Sequence, residues 1–306
     1  MQLKKNHFED TRSLAYVSLM SGISLALVLI AYFIDGIGLL LVLVLPLCSA
    51  LVATKVNAKY ALIYIIATFL ISCIDIQLAV FILIPSLISG LIFGKLIKIY
   101  VQGYFIIFLD ALTMLLMQIG ATELVDFLYA VDLVSALSHL LRLSETTFQD
   151  AYFLFLFLLS LMEACLCYLI ITNELKKLNM EFNEKKNRFL TVLILESLCI
   201  ASTGVVLFFS SSFGYLLLGI SAYFAVILAY YNFSFYRKKD VLALQIPLYV
   251  VSLVAMAALL SRIEKPFQPY LFLLPMISQI LVSLEIVFYQ KCIKKSKITS
   301  ALFDKF

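Results

Sequence analysis

Ten stretches of mostly apolar residues follow one another between Ser13 and Tyr289, and all 23 lysines and arginines lie at or beyond the ends of those stretches. A helix needs about 20 apolar residues at a rise of about 1.5 Å each to cross a bilayer. The stretches that approach this length are Ser13 to Ile34, Ile37 to Thr54, Lys59 to Ile74, Leu78 to Ile97, Gly103 to Ala121, Ala151 to Thr172, Phe189 to Phe209, Phe213 to Tyr236, Val241 to Leu260 and Pro269 to Tyr289. Only 14% of the chain is charged and 63% is apolar, whereas about a quarter of a soluble domain is charged. The expected fold is therefore all-α, a polytopic membrane bundle of about ten spans. Its first apolar run is too long for a signal-peptide core and is expected to stay as an anchor. Basic residues sit in short clusters rather than along one amphipathic face, which argues against a nucleic-acid partner.

Charge placement gives the orientation, because cytoplasmic loops collect lysine and arginine. With the N-terminus inside, 20 of the 23 basic residues fall on the inner side, and only Arg142, Arg262 and Lys265 fall outside. Both termini are then cytoplasmic. The predicted organisation is a tail over residues 1–12, a six-span unit over 13–172, a cytoplasmic linker over 173–188, a four-span unit over 189–290 and a tail over 291–306. Within the first unit, residues 122–150 are predicted to form an outer amphipathic segment, with Leu124, Phe127, Leu128, Val131, Val134 and Leu137 at helical spacing. The third and fourth spans are either separate or one broken pair, joined by a link that carries Asp75 and Gln77.

Two stripes of small residues recur at four-residue spacing: Ser18, Gly22 and Ala26 on the first span, and Ser86, Gly90 and Gly94 on the fourth. Such stripes let helices approach closely in lipid, so they are expected to pack the six-span unit together or to dock a partner. Pro46, Pro247 and Pro275 are expected to kink their spans. Tyr60, Tyr100, Tyr104, Tyr152, Tyr236 and Tyr289 fall near span ends, where amphipathic rings favour the headgroup level.

Acidic residues inside the bilayer are costly, and no basic residue in any span is placed to neutralise them. Glu163 falls near the midplane and Asp110 about a third of the way in from the inner end of its span, while Glu196 and Glu285 lie within two turns of inner ends. Glu163 and Asp110 either contact a substrate or cation in a hydrated cavity or are protonated and hydrogen-bonded to a neighbouring hydroxyl or amide, and the second reading is preferred for Asp110, Glu196 and Glu285. Asp35, Asp75, Gln118 and Glu163 are the residues expected to line an outward-facing site, and the absence of basic residues there favours a neutral or cationic ligand. Asp132, Ser135 and His139 share one helix face and lack the mutual geometry of a triad, so no enzyme is expected. With two histidines in the chain and no zinc spacing among six cysteines, neither a metal nor a cofactor is expected.

The segments SLAYVSLMSGISLAL, LVLVLPL, KVNAKYALIYIIATFL and IPSLISGLIFGK together resemble the YybS-type family of bacterial membrane proteins. The N-terminal half of that family is similar to the substrate-binding S components of energy-coupling-factor vitamin transporters. The resemblance covers about residues 13 to 172, and the later spans match the family's C-terminal extension in hydropathy and loop placement. It implies a six-helix solute-binding unit that opens outward, with Ser18, Gly22 and Ala26 facing a membrane coupling subunit that works with an ATPase. In S components that stripe is usually alanine, whereas here Ser18 and Gly22 stand in its place. The implied location is the bacterial cytoplasmic membrane. A membrane scaffold, whose stripes bind other membrane proteins and whose carboxyls only hydrogen-bond, is the alternative from another class.

Overall fold

In hydrocarbon every backbone polar group must be satisfied within the chain, which leaves helices as the solution for apolar runs of this length. A computed structural model describes residues 2–34, 38–72, 79–177, 189–236, 242–260 and 268–303, and contains no strand among them. The helices are α1 (Gln2–Phe33), α2 (Gly38–Lys55), α3 (Ala58–Ser72), α4 (Ile84–Lys98), α5 (Gly103–Tyr129), α6 (Leu133–Leu140), α7 (Glu145–Lys177), α8 (Phe189–Phe209), α9 (Ser211–Tyr236), α10 (Leu242–Leu260), α11 (Gln268–Leu271) and α12 (Leu273–Phe303). Seven segments among the described residues are long and apolar enough to cross a membrane: Asp10–Ile30, Ala79–Lys98, Gly103–Tyr129, Glu145–Lys177, Phe189–Phe209, Ser211–Ser234 and Gln268–Phe288. Large apolar side chains such as Leu116, Met162, Phe208 and Val226 are turned outward along them, an arrangement that lipid tolerates and water does not. The chain is a multi-pass integral membrane protein.

The expected second, third and ninth spans fall on the apolar helices α2, α3 and α10, of 18, 15 and 19 residues. The link between the third and fourth spans, including Asp75, lies outside the described residues, as does Asp35. Beyond that link, residues Ala79–Leu83 form a π-helical turn before α4. The cause is Pro85 in the first turn of α4: it lacks an N–H, and its ring crowds the carbonyl four residues earlier, so the preceding turn widens.

Residues 2–12 form the first turns of α1 and residues 291–303 the last turns of α12, and residues 178–188 of the expected linker lie outside the described residues. Residues 122–150 divide between the end of α5, the short α6 and the start of α7, because Ala130 adopts a left-handed conformation (φ 49°) that stops α5. Asp132, one member of the discounted triad, accepts a bond from the Ser135 N–H at 3.0 Å and so caps α6. The leucine-rich face of α6 ends where Arg142, also left-handed at φ 56°, turns the chain.

The chain divides into two units, residues 1–136 with 156–186 and residues 137–155 with 187–306. In the first, α2 and α4 pack most closely. A Cβ on Gly94 would lie 2.7 Å from Ala53 Cβ and 2.9 Å from Ala50 Cα, and one on Gly90 would collide with Ser49 Oγ and the Pro46 carbonyl. Ser86 is buried on the same face. The α4 stripe is therefore consumed inside the unit.

The α1 stripe is placed differently. The seam of α1 against α3 runs through Val17, Ser21, Ser24 and Val28, all buried, at coiled-coil-like spacing. Ser24 and Tyr64 hydroxyls meet at 2.7 Å, Thr68 donates to Ser21 at 3.4 Å, and Tyr60 donates to Asp10 at one end. Ser18, Gly22 and Ala26 lie beside this seam, exposed, with nothing within 4 Å of a Cβ at Gly22. Four-residue spacing identified a stripe on each helix, but only a helix rotation, set by the buried serines, decides which face turns inward.

In the second unit α8 and α9 form a hairpin, tied by Thr203 and Ser221 hydroxyls at 3.2 Å. Asn232 on α9 donates to the Gln279 backbone carbonyl and Oε1 on α12, both at 3.3 Å, and accepts from Ser283 at 3.0 Å. All three side chains are buried. Asn232→Ala is expected to lower the unfolding free energy of the protein in detergent by about 1 to 2 kcal/mol, because one deletion strips partners from two buried groups. Equilibrium unfolding in sodium dodecyl sulfate measures it, and an unchanged midpoint would show that lipid or water replaces the bonds.

Candidate functional site

Inside the first unit, three helices bring polar side chains together where their sequences break the apolar pattern. On α5, Asp110, Met114 and Gln118 recur every four residues and share a face. On α7, Ser160, Glu163, Ala164 and Cys167 do the same at three- and four-residue spacing. From α4, Ser89 donates to Asp110 Oδ2 at 3.0 Å. From α7, Ser160 donates to Gln118 Oε1 at 3.1 Å and to the Leu156 carbonyl at 2.9 Å. Asp110 and Gln118 are about 12 Å apart along α5 at 1.5 Å per residue, so the two contacts mark the ends of a polar seam.

Glu163 lies along that seam, within electrostatic reach of Asp110, and Cys167 is within reach of both carboxyls. Asp110 is fully buried and Glu163 partly buried. Each keeps one enclosed oxygen without a hydrogen-bond partner, Asp110 Oδ1 and Glu163 Oε1. A buried acceptor left unpaired costs about 1 to 3 kcal/mol. Two such atoms on carboxyls within electrostatic reach of one another are a standing demand for hydrogen-bond donors or positive charge.

Of the four residues expected to line a site, Gln118 and Glu163 thus share one seam, and Asp35 and Asp75 lie outside the described residues. Asp110, which was not among the four residues expected to line a site, is the centre of the cluster. Its neighbour Ser89 was missed. The signal for Ser89 was its position one residue from Gly90 and three from Ser86, on a helix whose small face holds it tightly beside α5.

The arrangement has the chemistry of a small cation- or donor-binding centre. It holds hydroxyl, amide and carboxyl groups and a thiol, and neither carboxyl forms an ion pair among the described residues. No group of three or more His, Cys, Asp or Glu side chains that could hold a metal occurs among the described residues. A cavity of about 550 Å³ in this unit is lined elsewhere, by α2, α3 and α4.

Glu196 on α8 of the second unit is a carboxyl of another kind. It is fully buried, and both its oxygens lack partners. Cys199, one turn along, is within its electrostatic reach. A second cavity in that unit, of about 370 Å³, is lined mostly by apolar residues, including Ala225, Phe233, Tyr249 and Met276, with Gln279 at its wall. Comparison with protein-family models, with curated proteins and with solved structures finds no match for this chain.

Proposed function

We propose that this membrane protein is a small-molecule binding or uptake subunit whose solute is held at the seam of α4, α5 and α7. The observation that carries the reading is the pair Asp110 and Glu163, two carboxyls within electrostatic reach of one another that each present an enclosed oxygen without a hydrogen-bond partner, with no ion pair to either among the described residues. A membrane protein retains costly intramembrane carboxyls chiefly where a solute, ion or proton uses them. The ligand that fits is neutral with several donors, or cationic. Ser89 orients Asp110, and the Gln118–Ser160 contact holds α5 and α7 in register beside it. Asp110 is fully buried, so solute entry requires α7 to shift against α5.

The resemblance to S components supplies the partner: a membrane coupling subunit that engages the exposed Ser18–Gly22–Ala26 face of α1, with an ATPase behind it. In this reading the protein lies in the bacterial cytoplasmic membrane with about ten spans and both termini inside. The exposed α1 face also favours a second reading, a scaffold that docks other membrane proteins there and moves nothing.

Purification in mild detergent followed by mass spectrometry separates the two. Uptake predicts a co-purifying small molecule together with an ATPase and its membrane coupling subunit. Recovery of an unrelated membrane assembly without a small molecule would favour the scaffold. The orientation carries its own prediction: single cysteines introduced at Glu145 and Asn183 are labelled from opposite sides of the membrane, and labelling from one side would overturn the ten-span arrangement.

A further inference from the structure

The end of the first unit where α2 stops, α3 starts and α4 stops gathers four lysines. Lys55 lies over the Tyr16 ring at 5.1 Å and Lys59 over the Tyr60 ring at 5.9 Å. Lys95 and Lys98, one turn apart on α4, are exposed and have no acidic partner among the described residues. Both line the cavity of about 550 Å³. From these lysines the cavity continues along α3 and α4 as an apolar groove whose walls include Ala61, Leu62 and Ile88, and Asn57 stands at its mouth. Lys98 to Ile88 is ten residues, so the groove follows α4 for about 15 Å at 1.5 Å per residue. Leu62, Ile66 and Leu70 on the adjoining face of α3 are strongly exposed, which identifies that flank as a surface turned to lipid.

We infer that this groove is a binding site for an acidic phospholipid. Lys95 and Lys98 contact the headgroup phosphate, Asn57 offers a donor beside it, and one acyl chain lies between α3 and α4. Charge and shape select this occupant together. A phosphate alone leaves the apolar groove unfilled, a neutral lipid leaves two ammonium groups unpaired, and an apolar protein helix brings no compact anion to the two lysines. Basic pockets between membrane helices are suited to anionic headgroups, and each lysine near the surface adds enough attraction to matter. The site is separate from the carboxyl seam and does not depend on its role.

The test reconstitutes the full-length protein in vesicles of phosphatidylcholine containing a tenth phosphatidylglycerol, extracts it in mild detergent, and counts retained lipid by native mass spectrometry. Wild type is expected to retain about one phosphatidylglycerol, in excess over its share of the bilayer. Lys95→Gln/Lys98→Gln is expected to lower that retention roughly tenfold. Lys176→Gln/Lys177→Gln, which removes equal charge at the exposed end of α7, should leave it unchanged. Ala61→Phe, which narrows the groove and leaves all lysines in place, should also reduce it, with thermal unfolding confirming that the variant folds. Glycerol phosphate in solution should not displace the lipid. Equal loss in both lysine pairs would reduce the effect to general surface attraction and overturn the site. Full retention after Ala61→Phe in a folded variant, or displacement by glycerol phosphate, would overturn the acyl groove.

Discussion

Gly90→Val is expected to cost about 3 kcal/mol or more of unfolding free energy, with loss of most folded protein on extraction. Gly94→Val is expected to behave in the same way. The reason is the distance between α2 and α4. A single Cβ at Gly90 would meet Ser49 and lie 2.7 Å from the Pro46 carbonyl carbon, and one at Gly94 would meet the Ala50 carbonyl and lie 2.7 Å from Ala53 Cβ. Most of these atoms are backbone or Cβ, which cannot rotate aside, so the helices must separate and the interface along Leu45, Val52, Leu83 and Leu87 opens with them. Overpacking of a tight core costs about 1 to 3 kcal/mol even where side chains can adjust, and here they cannot. Gly22→Val and Gly120→Val are the controls, since nothing lies within 4 Å of a Cβ at either. Thermal unfolding followed by size-exclusion chromatography reads all four. If Gly90→Val unfolds with Gly120→Val, the close approach of α2 and α4 is wrong.

The second large effect separates two carboxyls that look alike in the sequence. Glu196→Met is expected to stabilise the protein by about 1 to 3 kcal/mol, because it removes two buried, unpaired oxygens and keeps similar volume. Glu163→Met is expected to stabilise less, since one enclosed oxygen rather than two lacks a partner and the side chain is partly exposed. Only the Glu163 variant should lose bound solute, by tenfold or more, because only Glu163 shares a seam with a second carboxyl. Such a gain in stability with a loss of function is the usual mark of a strained site. Unfolding in sodium dodecyl sulfate gives the first quantity and extraction of bound small molecules gives the second. A destabilised Glu196→Met would mean that the carboxyl has a partner on which α8 depends.

The helical character and membrane location were legible because apolar length and the exclusion of lysine act over whole spans. Helix ends were less so. Ala130 ends α5 through a left-handed conformation that alanine rarely signals, and α1 runs back to Gln2 through a charged tail that hydropathy assigns to solvent. The stripes were visible as spacing, yet their directions were not: Ser18 and Ser21 have the same chemistry, and only the second meets a neighbouring helix, through Thr68 on α3. For the seam, the sequence singled out Glu163 and Gln118 by their polarity. It undervalued Asp110, because depth along one span does not reveal which side chains on two other spans face it. Ser89 was signalled only by its place beside Gly90 and three residues from Ser86 on an apolar helix.

Native mass spectrometry of the protein released from mild detergent, wild type beside Asp110→Asn/Glu163→Gln, tests the carboxyl seam most directly. The account predicts one neutral or cationic small molecule per wild-type chain and at least tenfold less on the double variant, with both proteins folded. The same molecule at the same occupancy on both, or none on the wild type taken from its native membrane, would contradict it.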